Sequence, residues 1–215
     1  MAFCPQSRTF DQNLRFSPVY NPNGQEIPAV AVNSRIIEFY SGTEPDHRGR
    51  YLKEIQRWPD DQLEKFHDYI QWLFPLPEPS GFNVAAPVLN RESIEEFRAR
   101  PDLQEKLLFS FTRMLNFYGL EVRSGERVMI TRAPNFAAKA TVWLSPGNHN
   151  HLRITRILRC LTVLGPEPEA KALFGCLAEI YEDEQDKPLP AISEETMGYW
   201  RKAALIVSEG NESTR

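Results

Sequence analysis

Cysteine is scarce in this chain of 215 residues. Cys4, Cys160 and Cys176 are the three present, and no two form a C-x-x-C pair. That excludes a disulfide framework and points to a reducing, cytoplasmic setting. Long apolar runs are also missing, so no segment reads as a membrane-spanning helix, and Met1 to Asp11 has no signal-peptide core. Positive charge is not in excess: 25 Lys and Arg face 29 Asp and Glu, a net charge of −4. A chain that coats nucleic acid carries the opposite balance, so a nucleic-acid partner is not expected. The signatures G-x-x-x-x-G-K, G-x-G-x-x-G, H-E-x-x-H and G-x-S-x-G are all absent. This disfavours the commoner nucleotide-binding, zinc-protease and esterase chemistries. No cofactor or metal is expected.

What is present is a globular composition, 41% apolar and 25% charged, which argues against wholesale disorder. There are 17 prolines, and they punctuate helical patterns more than they interrupt them. Residues 1–32 hold Pro5, Pro18, Pro22 and Pro28 without a sustained helical period, and read as an irregular arm. Helices are expected over about 34–40 and 50–58. Pro59 opens a third running to residue 74, with Leu63, Phe66, Ile70 and Leu73 on one face. Residues 75–90 form a proline-rich connector. A fourth helix follows Asn90 as N-cap. A fifth runs from Pro101 to Tyr118, with Gly119 ending it.

Val122 and Val128 to Ile130 allow one short hairpin near Gly125. Further helices are expected over 134–144, 149–164, 168–184 and 193–207, the last capped by Ser193. Residues 208–215 read as a frayed tail. The expected fold is therefore all-α: a single globular multi-helix domain of about eight or nine helices over residues 33–207.

Three clusters could carry function. Glu64, His67 and Gln71 share a stripe of the third helix, where a carboxylate could orient an imidazole. A solvated face is the simpler reading. His149, Arg153 and Arg156 share a face at the start of the seventh helix. Free N–H groups and two guanidinium groups could hold a carboxylate or phosphate there, or the arginines could pair with acids and fix the packing. A metal at His149 and His151 is disfavoured, because an i, i+2 spacing splays them on a helix. Tyr69, Trp72, Phe74 and Phe82, interleaved with Pro75, Pro77 and Pro79, could line a peptide groove or pack the connector onto the core. The acids Glu179, Glu182, Asp183, Glu184 and Asp186 read as solvated, with fraying near Asp186. Cys160 and Cys176 fall in apolar stripes and read as buried.

Two long motifs point to a family. Leu63-Glu64-Lys65-Phe66-His67-Asp68-Tyr69-Ile70-Gln71-Trp72-Leu73-Phe74-Pro75 and Asn148-His149-Asn150-His151-Leu152-Arg153-Ile154-Thr155-Arg156-Ile157-Leu158 together resemble the conserved region of the opioid growth factor receptor family. Phe39-Tyr40, Met114 to Gly119 and Arg132 to Phe136 support this in the right order. The resemblance implies a mostly helical domain and a receptor for a short opioid peptide, enkephalin. It implies no catalytic residues. Animal members are described as nuclear and membrane-associated, and carry a long repetitive C-terminal extension. This chain ends soon after the resembling region, and it holds no basic nuclear-import run.

The sequence thus supports a domain that binds a short peptide or an anionic small molecule. Arg153, Arg156 and the N-terminus of the seventh helix would hold a carboxylate, with His149 beside them among the ligand-binding residues, and His67, Gln71 and Trp72 would form the facing wall. Two rivals remain: an enzyme in which Glu64 assists His67 as general base beside an anion site, and a structural module whose polar residues pair with one another.

Overall fold

Proline, asparagine and glycine set the helix ends. In the computed structural model, which describes residues 29–205 apart from 124 and 126, Asn90 starts α5 (Arg91–Ala99). Its side chain accepts from the Ser93 N–H while the Ser93 hydroxyl accepts from the Asn90 N–H, a reciprocal box that satisfies two orphan donors. Pro101 opens α6 (Pro101–Tyr118), where its missing N–H is harmless. Gly119 ends it in the left-handed region, at φ 74°. A side chain there would collide with α7 (Phe136–Trp143), since a Cβ would sit 2.8 Å from Lys139 Cβ and 2.9 Å from Phe136 Cα. Ser193 caps α10 (Glu194–Ala204) through the Thr196 N–H.

Ten helices and one antiparallel hairpin make up the described residues. The remaining elements are α1 (Ala29–Ser41), α2 (Leu52–Ile55), α3 (Asp60–Lys65), α4 (Ile70–Leu73), α8 (Asn150–Leu164) and α9 (Glu167–Gln185). The hairpin pairs β1 (Leu120–Arg123) with β2 (Met129–Arg132), with Val122 opposite Ile130. The protein is all-α apart from this hairpin. Of the arm expected over residues 1–32, residues 29–32 already belong to α1, and the rest lies outside the described residues, as does the tail over 208–215. Among the described residues no helix is long and apolar enough to cross a membrane.

Helix α8 lies at the centre. It packs on α9, α10 and α5, while α6 carries α1, α5, α7 and β1. The core is continuous, and Trp72, Trp143 and Trp200 are fully buried within it. His151 of α8 stands between two of these rings, edge-on to Trp143 at 6.5 Å and to Trp200 at 5.6 Å. Its Nε2–H donates to Trp143 O, and Trp200 Nε1 donates back to His151 O. These bonds fix α7 and α10 against the first turns of α8.

The expected third helix is divided. It stops at Lys65, Phe66 turns extended (φ −92°, ψ 141°), and helix resumes only as the single turn of α4. The expectation for Glu184 is corrected, and the aromatic cluster takes the second of its two readings. Glu184 is buried, because its carboxylate accepts from Lys187 Nζ and from the Ala191 N–H and so anchors the chain after α9. Tyr69, Trp72 and Phe74 are fully buried and belong to the core; only Phe82 of that aromatic group is exposed.

Candidate functional site

The break between α3 and α4 creates the site. A helix ending at Lys65 leaves its last carbonyls without intrahelical partners. Arg153, one turn into α8 and only 5% exposed, supplies the donors. Its Nη1 donates to Leu63 O at 3.0 Å and to Asn150 Oδ1 at 3.1 Å. Its Nη2 donates to Phe66 O at 2.8 Å and to His67 Nδ1 at 3.1 Å. Tyr69 Oη adds a second donor to Leu63 O, and the Arg153 guanidinium lies over the Tyr69 ring. A cation at a helix C-terminus is electrostatically favourable as well.

Glu64 closes the arrangement. Asn150, fully buried, donates from Nδ2 to Glu64 Oε2 at 3.1 Å, Arg153 Nη1 lies 3.5 Å from the same oxygen, and His149 Nε2 sits 3.2 Å from Oε1. The expected Glu64–His67 partnership is not made: the helix ends between the two residues, so Glu64 faces His149 instead. The rings of His67 and His149 meet edge to face at 5.0 Å.

The protonation of His67 follows from its partner. Guanidinium is a donor only, so Nδ1 holds the lone pair and a neutral ring carries its proton on Nε2. Partial burial, then the positive charge of Arg153 and the neighbouring His149, lower the His67 pKa below its ordinary value. The ring is thus a neutral donor toward solvent. Its basic nitrogen faces a group that cannot give up a proton, which removes the geometry that general-base catalysis requires.

The other expected site residues divide between support and surface. Gln71 is buried, and with its amide oriented to donate it reaches His67 O and Asp68 O at 3.3 Å each. Trp72 is fully buried and donates from Nε1 to His47 Nδ1 at 3.0 Å, so it is an anchor beneath the surface. Arg156 is half-buried. Its Nη1 donates to Phe74 O at 3.0 Å, capping α4 as Arg153 caps α3. Burial lowers its pKa. Between His149 and Arg156 on the same face of α8 stands Leu152, which is 60% exposed. Phe66 and His67, at the α3–α4 break, are exposed too, and the His67 ring meets that of His149. Among the described residues no group of three or more His, Cys, Asp or Glu is arranged to hold a metal ion.

Sequence reasoning missed the support beneath this face. Asp68 receives Arg48 and Arg50, the latter at 3.0 Å, with His47 Nε2 at 3.5 Å; Arg50 is held in turn by Asp46. Asn83 of the connector donates to Asp68 O at 2.9 Å. Asp68 lies within the first long motif, but its partners are 15 to 21 residues away and carry no local signal.

Both arms of the site, residues 63–75 and 148–158, are the two motifs that carry the family resemblance, and the fold joins them through Arg153. A family profile described as "Opioid growth factor receptor (OGFr) conserved region" matches residues 32–211. The chain belongs to this family. Similar proteins include the human opioid growth factor receptor, 37% identical over 155 residues, which covers 71% of this chain and 22% of that protein. The mouse opioid growth factor receptor is 36% identical over 148 residues, 68% of this chain and 23% of that protein. Opioid growth factor receptor-like protein 1 of Xenopus tropicalis is 40% identical over 122 residues, 55% of this chain and 23% of that protein. The chain thus spans well under half the length of these relatives. No solved structure matches it.

Proposed function

We propose that this opioid growth factor receptor conserved domain is a receptor-type binding module whose ligand is a short peptide. The ligand lies along the outer face of α8 and the α3–α4 break. One observation carries this reading. The four Nη hydrogens of Arg153 are engaged within the protein, so the buried polar network works as a scaffold. What it holds up is an accessible row of mixed chemistry: Phe66, His67, His149, Leu152 and Arg156. Apolar surface set among a few fixed polar groups is what peptide recognition uses. The printed name of the relatives, a receptor for an opioid growth factor, makes enkephalin the first peptide to try.

The test is calorimetric titration of the purified domain with enkephalin and with a scrambled peptide of the same composition. Saturable binding of the first, weakened by Leu152→Ala and by His67→Ala, is expected. Leu152 is exposed, so its truncation leaves the core intact. Equal binding of both peptides, or enkephalin affinity unchanged by both substitutions, defeats the proposal.

A further inference from the structure

Arg156 differs from Arg153 and Arg159, its neighbours along α8, in making no ion pair among the described residues. Arg153 reaches Glu64, Arg50 reaches Asp46 and Asp68, Arg113 reaches Asp60, and Arg159, one turn along α8, pairs with Glu78. Arg156 makes its single hydrogen bond to Phe74 O and no ion pair among the described residues. A guanidinium has five N–H donors in a planar fork suited to a carboxylate. Here one Nη group is held by a backbone carbonyl, which fixes the direction of the fork and leaves the remaining donors free. Arg156 is half-buried, and the carboxylate that acts on it, Glu78, is held by Arg159, so an incoming anion meets a cation that is partly desolvated and only partly compensated.

The neighbour decides which anion. Leu152 precedes Arg156 by four residues, so the two side chains are adjacent on the helix surface, with Cβ atoms about 5–6 Å apart. A helical side chain leans toward the N-terminus, which carries Arg156 toward the turn of Leu152. The C-terminal residue of a peptide has its carboxylate and its side chain at a comparable separation. We infer that Arg156 binds the free C-terminal carboxylate of a peptide whose last side chain is apolar and covers Leu152. This rests on the peptide-binding reading for its ligand class, while the carboxylate site itself stands on the geometry of Arg156. Glu78, already held by Arg159, flanks the site and repels a second negative charge, so a singly charged carboxylate is favoured over a phosphate.

Two probe pairs separate the inference from the reading beneath it. The first is N-acetylleucine and its amide, followed by NMR at the Arg156 side-chain Nε–H and at the backbone amide of Leu152. The acid should move both signals saturably and the amide should not. The second is enkephalin as free acid and as C-terminal amide, compared by calorimetry. The acid should bind at least about tenfold more tightly, as expected for a hydrogen bond to a charged group. That ratio should fall to near one in Arg156→Gln, which removes the charge and the fork. It should also fall in Leu152→Asp, which places a carboxylate beside Arg156; an unchanged melting temperature for this exposed change shows that the fold is kept. If N-acetylleucine leaves the Arg156 signal in place, the carboxylate site is refuted. If it binds while neither form of enkephalin does, the site stands and the peptide reading falls. If inorganic phosphate displaces N-acetylleucine at equal concentration, the preference for a carboxylate is refuted.

Discussion

Arg153 Nη2 donates to His67 Nδ1 over 3.1 Å, joining residues 86 positions apart in the chain. The bond makes His67 a neutral hydrogen-bond donor at the surface and ties the first turns of α8 to a segment that has left helical geometry.

Arg153 should be the most sensitive surface-adjacent position in the protein. Arg153→Ala strands the Phe66 carbonyl, leaves Leu63 O to Tyr69 Oη alone and takes a guanidinium from Glu64, a loss of about 3 kcal/mol. Arg153→Lys should recover less than half of that, because one ammonium cannot span the four acceptors. Urea unfolding at pH 7 measures both, and a cost below about 1 kcal/mol for the alanine variant would show that water caps α3 equally well.

Stability should fall between pH 7 and pH 5. Burial holds His151 below its ordinary value of 6.5, against the opposing pull of the Trp143 carbonyl. The unfolded chain therefore takes up the proton first. The contribution is complete above the unfolded value of 6.5 and is lost as pH falls from there toward the folded-state value. His67 acts in the same direction. Asp60 and Asp68, whose carboxyls sit below 3.8 beside Lys139, Arg113 and Arg50, lose their contributions only in more acid solution. Melting temperatures across this range should show the slope, and His151→Gln should flatten it. An unaltered slope in that variant would assign the effect elsewhere.

Gly119→Ala should destabilise by more than about 1 kcal/mol, since it combines a left-handed backbone with a Cβ pressed on α7. Gly175→Ala is the control: that glycine is helical and has open space around its Cβ, so replacement should be neutral or stabilising. Equal effects in the two variants would contradict the close approach of α6 and α7.

Cys160 and Cys176 should be inert in the folded protein. Burial pushes both thiols up, that of Cys176 to about 11, and neither is more than 3% exposed. In a Cys4→Ser variant a thiol reagent at pH 8 should react only after denaturant is added. Prompt labelling of native protein would show local opening of α8 or α9.

Most helix limits were legible because their signals are local. Asn90, Pro101, Gly119 and Ser193 each act within one turn, and the structure uses all four as read, adding Ser93 as the partner of Asn90. The long apolar periods of α6 and α8 were equally plain; burial of Cys160 followed from that of α8, and burial of Cys176 from the apolar stripe of α9. The fate of residues 66–69 was not legible. They continue the helical spacing of Leu63, Ile70 and Leu73 and hold neither glycine nor proline, yet the helix stops there. Its carbonyls find better partners in Arg153 and Tyr69 than further turns would offer.

The sequence by itself determined the family, the all-α class and the ends of α5 to α9 to within two residues, because periodicity and capping are written in residues a few positions apart. It also brought forward the residues of the site: His67, Gln71, Trp72, His149, Arg153 and Arg156. Only the tertiary structure decided their roles. Whether an arginine meets a ligand, a carboxylate or a carbonyl depends on what the fold brings to it from 80 or more residues away. Here it brought carbonyls to Arg153 and Arg156 and the Glu64 carboxylate to Arg153, and left Arg156 half-buried with one hydrogen bond and no ion pair among the described residues.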